Sequence, residues 1–158
     1  MATPQTERSR YGSVVVGFDG STESVDALEL ATSIATIANR TLIAVFVRHL
    51  PAFIEASSAF GAAETALDDL ADRLALELKA SLAGRDDIDW SFEVREGDPA
   101  STLIDAANEH DASVIVVGHR GHNRAASLLL GSVATKLVHH APQSVLVARP
   151  DSVDPIGE

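Results

Sequence analysis

The chain has 158 residues, 46% of them hydrophobic and 22% charged, a composition that suits one soluble domain with its own core and is too short for two. Twelve basic residues against 23 acidic ones give a net charge of −11, which opposes the electrostatics that draw proteins to nucleic acid or anionic lipid. There is no cysteine, so disulfides, thiolate nucleophiles and cysteine-held zinc are excluded.

Residues 1–10, "MATPQTERSR", are polar and without periodicity and read as a tail; the domain is expected over 11–150, with a second tail at 151–158. No stretch has the length of a membrane span or the apolar segment of a signal peptide, so a cytoplasmic location is expected. The first strand is "SVVVGF" (13–18), followed by a helix and then "LIAVFV" (42–47). The second helix is the most periodic: Leu67, Leu70, Leu74, Leu78 and Leu82 recur at spacings of three and four, with Asp68, Asp69, Asp72, Arg73 and Glu77 turned mostly to water. "IDWSFEV" (88–94) alternates strictly, with Ile88, Trp90, Phe92 and Val94 set against Asp89, Ser91 and Glu93. A third helix opens at "GDPA", where Asp98 caps free amides and Pro99 takes the first helical position. "SVIVVG" (113–118), a fourth helix around "VATKLVHH", and "SVLVA" (144–148) complete five strands joined by four helices.

Strands alternating with helices predict a doubly wound, Rossmann-like α/β domain whose five-stranded parallel sheet has helices on both faces. The strict alternation of "IDWSFEV" gives it one wet face and places it at an edge, while the other strands are apolar on both faces. Right-handed crossovers then favour the order 3-2-1-4-5, with the winding reversed between the first and fourth strands. Ligands of such sheets settle in the crevice beyond the carboxyl ends of those two strands, and here both are followed by glycine-bearing loops, "GFDGS" and "GHRG". The opposite edge, 144–148, carries no protecting charge and predicts a homodimer that buries it; a covering C-terminal tail is the monomeric alternative.

The stretch "GHRGHNRAASLLLGS" (118–132) concentrates the chemistry. Gly118, Gly121 and Gly131 allow positive φ and leave the main chain bare, and Ser132 stands where the last helix should begin, with unpaired N–H groups and a partial positive charge beside its hydroxyl. Arg120 and Arg124 add cations. The stretch lacks the lysine of a Walker A loop, and no Gly-x-Gly-x-x-Gly fingerprint is present. The residues therefore give an anion-binding crevice, or else turn glycines with no ligand. Asp19, the one carboxylate at the proposed crevice, is either a cation ligand or ribose contact, or a cap for the turn and helix around Ser21.

The pattern Gly-x2-Gly-x9-Gly-Ser, from Gly118, Gly121, Gly131 and Ser132, resembles the nucleotide-binding signature of the universal stress protein family. "VVVGFDGS", "EGDPASTLIDAANEHDASVIVVGHRG" and "GSVATKLVHHAPQSVLVARP" resemble it in order and spacing, so the likeness spans residues 13–149. It implies the same fold and, for the glycine-motif branch, binding of ATP. By that resemblance Gly17 and Asp19 would face the nucleotide, Asp19 near the sugar or a phosphate-bound magnesium ion. The main chain around Val45 and Phe46 would meet the adenine edge. Gly118, His119, Arg120, Gly121, His122, Asn123 and Arg124 would wrap ribose and phosphates, and Gly131, Ser132 and Val133 would hold phosphate. Many members have small residues where this chain has His122, Asn123 and Arg124, a bulkier loop that bears on the preference among ATP, AMP and cyclic AMP.

Other constellations read more simply. His119 and His122 form a His-x-x-His pair without a third ligand; His139 and His140 suit the carbonyl end of the last helix; and Asp86, Asp87 and Asp89 lack calcium-loop spacing. Ser132 has no nucleophile elbow around it. Neither a positioned general base nor an arginine finger is recognisable, so a regulatory ATP-binding protein is expected, with hydrolysis slow. The rival readings are a slow magnesium-dependent hydrolase, a cyclic AMP receptor, and a nucleotide-free interaction module.

Overall fold

In the computed structural model the described residues are 12–119 and 130–149, so both expected domain limits lie outside them. Five parallel strands stand in the order β3-β2-β1-β4-β5. They are β1 (Ser13–Gly17), β2 (Thr41–Arg48), β3 (Trp90–Glu96), β4 (Ala112–Gly118) and β5 (Ser144–Ala148). The helices are α1 (Thr22–Ile37), α2 (Ala52–Glu55), α3 (Phe60–Ser81), α4 (Pro99–Glu109) and α5 (Ser132–His140). The expected order is the observed one. The count of four helices is corrected by α2, one turn that begins directly after Pro51, too short to show a periodicity.

The β-branched run of β1 makes it the central strand. Val14, Val15 and Val16 are each fully buried, and burying such a side chain is worth about 1.5–3 kcal/mol against leaving it exposed. Alternation sends their side chains into two cores. Val14 and Val16 join Leu42, Ala44 and Phe46 beneath α1 and α3, whose contributions are Ala27, Leu28, Ala31, Leu74 and Leu78. Val15 joins Ile43, Val45, Ile115 and Val117 beneath α4 and α5, which supply Leu103, Ala106, Ala107 and Leu137. The turn from β1 into α1 passes through Gly20 at φ +81°, and a Cβ there would come within 2.8 Å of Leu74 on α3.

The edge strand β3 departs from its expected pattern in an instructive way. Trp90 and Phe92 pack against the first core, but Val94 on the same face is exposed. The polar face is half covered by α4. Arg95 donates to Glu93 at 2.8 Å and to Glu109 at 2.6 Å, and Nε2 of His110 lies 2.6 Å from Glu93. Burial pushes the Glu93 carboxyl up, yet the bonds from Arg95 and His110 outweigh it and hold it below its usual range. A face that reads as wet from composition is thus an ion-paired contact between sheet and helix.

Asp98 and Pro99 open α4 as the sequence predicts, Oδ2 of Asp98 accepting from the Ser101 N–H at 3.1 Å. Its Oδ1 accepts from Lys136 on α5 at 2.9 Å, which ties together the two helices on this face of the sheet. The Lys136 ammonium, followed by the Ser101 N–H, lowers this carboxyl from 3.8 to about 2. Its stabilisation is complete above the ordinary value and is lost as pH falls through that window. Asp98→Ala should therefore cost about 1 kcal/mol at neutral pH in urea unfolding. The gap to wild type should close as pH falls from 3.8 to about 2.

Candidate functional site

Where the winding reverses, the carboxyl ends of β1 and β4 part and leave a cavity of about 150 Å³. Its floor is Gly17 to Asp19 and Val117 to Gly118, and its apolar walls are Val45 and Val47 from β2 and Leu103 from α4. Ser21, Pro99 and Val133, each at or next to a helix start, close the rim. Of the residues expected from the sequence, the structure brings Gly17, Asp19, Val45, Gly118 and Val133 together here.

Phe46 is turned away: its side chain lies in the core beneath α1 and α3, because adjacent strand residues point to opposite faces. The expectation at Phe46 concerns its main chain and not its ring; Val47, two residues beyond Val45, joins Val45 as a wall residue, and the period of two is the signal for it. The Val45 carbonyl accepts from the Phe18 N–H at 2.9 Å, which locks the β1 end against β2. Phe18, Ser21, Pro99, Leu103 and Val117 were not expected at the site. Pro99 and Leu103 are one helical turn apart on α4, a spacing that carries meaning only once α4 is known to cross the crevice.

Asp19 sits at the mouth with a local duty. Its Oδ1 accepts from the Ser21 N–H at 3.0 Å and from the Ser21 hydroxyl at 2.6 Å, and Ser21 in turn caps α1 by accepting from the Ser24 N–H at 3.2 Å. The cap and a role toward a ligand are compatible, since the residue still lines the cavity.

Across the crevice α5 begins differently. Its N-cap is Gly131, with no side-chain cap hydrogen bond, and the first intrahelical bond is Thr135 N–H to Gly131 O at 2.9 Å. The amides of Ser132 to Ala134 therefore have no acceptor inside the helix, and the Ser132 side chain is exposed beside them. The approach to this end is pinned on both sides: the His119 N–H donates to Ala148 O and the Gly131 N–H to His119 O, each at 2.9 Å. Arg120, Gly121, His122, Asn123 and Arg124 lie outside the described residues, and so does half of the His-x-x-His pair. Among the described residues no group of three or more His, Asp or Glu side chains could hold a metal ion. Asp87 is ion-paired with Arg85 at 2.9 Å, as befits a surface turn.

Gly118 has a second reason to be glycine. A Cβ on it would lie 2.6 Å from the Glu23 carbonyl oxygen and 2.7 Å from Glu23 Cβ. The first turn of α1 presses directly on the end of β4.

Residues 10–149 match the Universal stress protein family. A universal stress protein of Mycobacterium tuberculosis is 32% identical over 151 residues, covering 88% of this chain and 97% of its own length. A universal stress protein of Methanothermobacter thermautotrophicus is 39% identical over 75 residues, 46% of this chain and 51% of that one. The matches to the first three curated relatives span only 37–51% of those proteins. Among solved structures, a universal stress protein of Lactobacillus plantarum superimposes with a TM-score of 0.65 at 25% identity, covering 88% of this chain and 98% of that one. A universal stress protein in complex with cAMP has a TM-score of 0.61 at 28% identity, covering 88% and 97%.

The packing at Gly118 makes a prediction that needs no ligand. Gly118→Ala should destabilise the nucleotide-free protein by about 1–3 kcal/mol, the cost of overpacking, as measured by denaturant unfolding. A variant as stable as wild type would show that α1 yields at this point.

Proposed function

The chain belongs to the universal stress protein family, and we propose that it binds an adenine nucleotide, ATP, in the crevice beyond β1 and β4 and acts as a cytoplasmic, nucleotide-dependent regulatory protein. One observation carries this reading: a slot with apolar walls, Val45, Val47, Leu103 and Val117, runs up to a helix start whose amides have no side-chain cap among the described residues. An aromatic base suits the walls, and an anion suits the helix start. The relative solved with cAMP supports the adenine assignment. The cavity is smaller than the roughly 300–1,000 Å³ that encloses a whole drug-sized ligand, so its described walls suit the base end, with the phosphates over α5.

In this reading the residues divide the work by chemistry. The walls exclude water from the base, while the main chain of Gly17 and Gly118 approaches closely without side chains between. Asp19 faces the sugar or a magnesium ion, and Ser132 and Val133 give amides and a hydroxyl to phosphate oxygens. Magnesium bound with ATP would neutralise part of the phosphate charge. Arg120 and Arg124, with Gly121, His122 and Asn123, join the site by their place in the sequence. No general base or arginine finger is recognisable in the sequence, so in this reading ligand occupancy is the signal and turnover is slow.

Cyclic AMP is the second reading, favoured by the complex of that relative. Mass spectrometry of small molecules released on denaturation, followed by calorimetric titration with ATP, AMP and cyclic AMP, separates the two. Ser132→Ala should weaken binding of the preferred nucleotide about tenfold or more, the worth of a hydrogen bond to a charged group. Protein that carries no nucleotide and binds none would leave an interaction module instead.

We further propose a homodimer through β5. Leu146 is 40% exposed on the last strand of the sheet, and Val145 and Val147 are only partly covered. Such an edge pairs readily with its own copy. Light scattering of wild type should give twice the chain mass, and Leu146→Asp should give the monomer.

A further inference from the structure

The sheet has a second cavity, larger than the crevice and on the opposite face of β2. It measures about 360 Å³ and lies between the ends of β2 and β3, the turn through His49 and Leu50, and α2 with the first turns of α3. Phe60, Glu64 and Leu67 line it from α3 at spacings of four and three, hence from one stripe of that helix. The buried residues of the 22-residue helix, Ala71, Leu74 and Leu78, all lie beyond its midpoint, and in the first half only Leu67 and Leu70 pack against the core among the described contacts. The near half is held by Arg48, which pairs with Asp68 at 3.1 Å and with Glu96 at 2.9 Å.

We propose that this cavity, with the exposed Phe60 ring in its lining, is a docking site for a basic, partly apolar segment of another protein. Phe60, in the lining of the cavity, is 39% exposed, a large apolar ring left open to solvent. The charge selects the occupant. Three carboxylates, Glu55, Glu64 and Glu96, line the cavity with one guanidinium, Arg48. Arg48 is already engaged, whereas Glu55 and Glu64 make no ion pair or hydrogen bond among the described residues.

A second copy with its own charge of −11, an anionic lipid surface and a nucleic acid are all repelled by this rim. A lysine or arginine side chain gains two free carboxylates and the face of Phe60. The Nε of Arg48 is buried with no acceptor, and a peptide carbonyl would supply one. Apolar neighbours of the incoming cation would pack on Phe60 and Leu67.

The test uses the intact chain and a phage-displayed library of random peptides. Enriched peptides should carry lysine or arginine beside leucine or an aromatic residue, and their affinity should fall as salt rises. Glu64→Lys and Phe60→Ala, both at exposed positions, should each weaken the synthesised peptides about tenfold while circular dichroism stays unchanged. Peptides without cations, equal binding by both variants, or no enrichment at all would overturn the proposal. So would a change of oligomeric mass in Phe60→Ala, or binding to phosphatidylserine vesicles that the same variants abolish. Nucleotide affinity is unaffected in either outcome, so this result is independent of the crevice.

Discussion

Two stretches of backbone meet where no side chain fits between them: the Glu23 carbonyl stands where a Cβ on Gly118 would be. That contact sets how closely α1 can approach the end of β4. The small residues on the inner side of α1, Ala27, Ala31 and Ala35, carry the same close approach along the helix. Gly20 supplies the turn that lets α1 start so near to β1. A glycine in a ligand-binding signature is readily taken as making room for the ligand. Here it makes room for the protein, so enlarging the residue tests packing before it tests any ligand.

Much of the fold could be read from the chain because hydrophobic period and strand position are coupled in a parallel sheet. Strict alternation in one run and continuous β-branched runs elsewhere put β3 at an edge and β1 at the centre, and right-handed crossovers supply the order. Asp98 and Pro99 marked a helix start because their local chemistry suffices for it. What escaped reading depended on packing. The one-turn helix α2 has no period. The polar face of β3 looked wet because Glu93, Ser91 and Asp89 are polar, yet Arg95, Glu109 and His110 convert that face into a contact through pairs that join two elements.

The candidate site was legible to a similar depth. The crevice follows from topology, and glycine with serine near a helix start points to it. Its walls follow from side-chain direction: the odd residues of β2 face the crevice and the even ones the other core, so Val45 and Val47 belong to the site and the Phe46 ring does not. Leu103 and Pro99 enter from an element some fifty residues further along the chain, by a crossing angle that no local pattern encodes. The same alternation explains why β2 separates two cavities, with Arg48 on one side and Val47 on the other.

The hydrogen bond from the Gly131 amide to the His119 carbonyl brings two residues twelve positions apart to one point, while the His119 amide is anchored to β5. Closing a longer connection between fixed ends costs little, about 0.6 kcal/mol for each doubling of length. A longer connection between these two anchored points would therefore add little to the entropy cost of the sheet's last crossover.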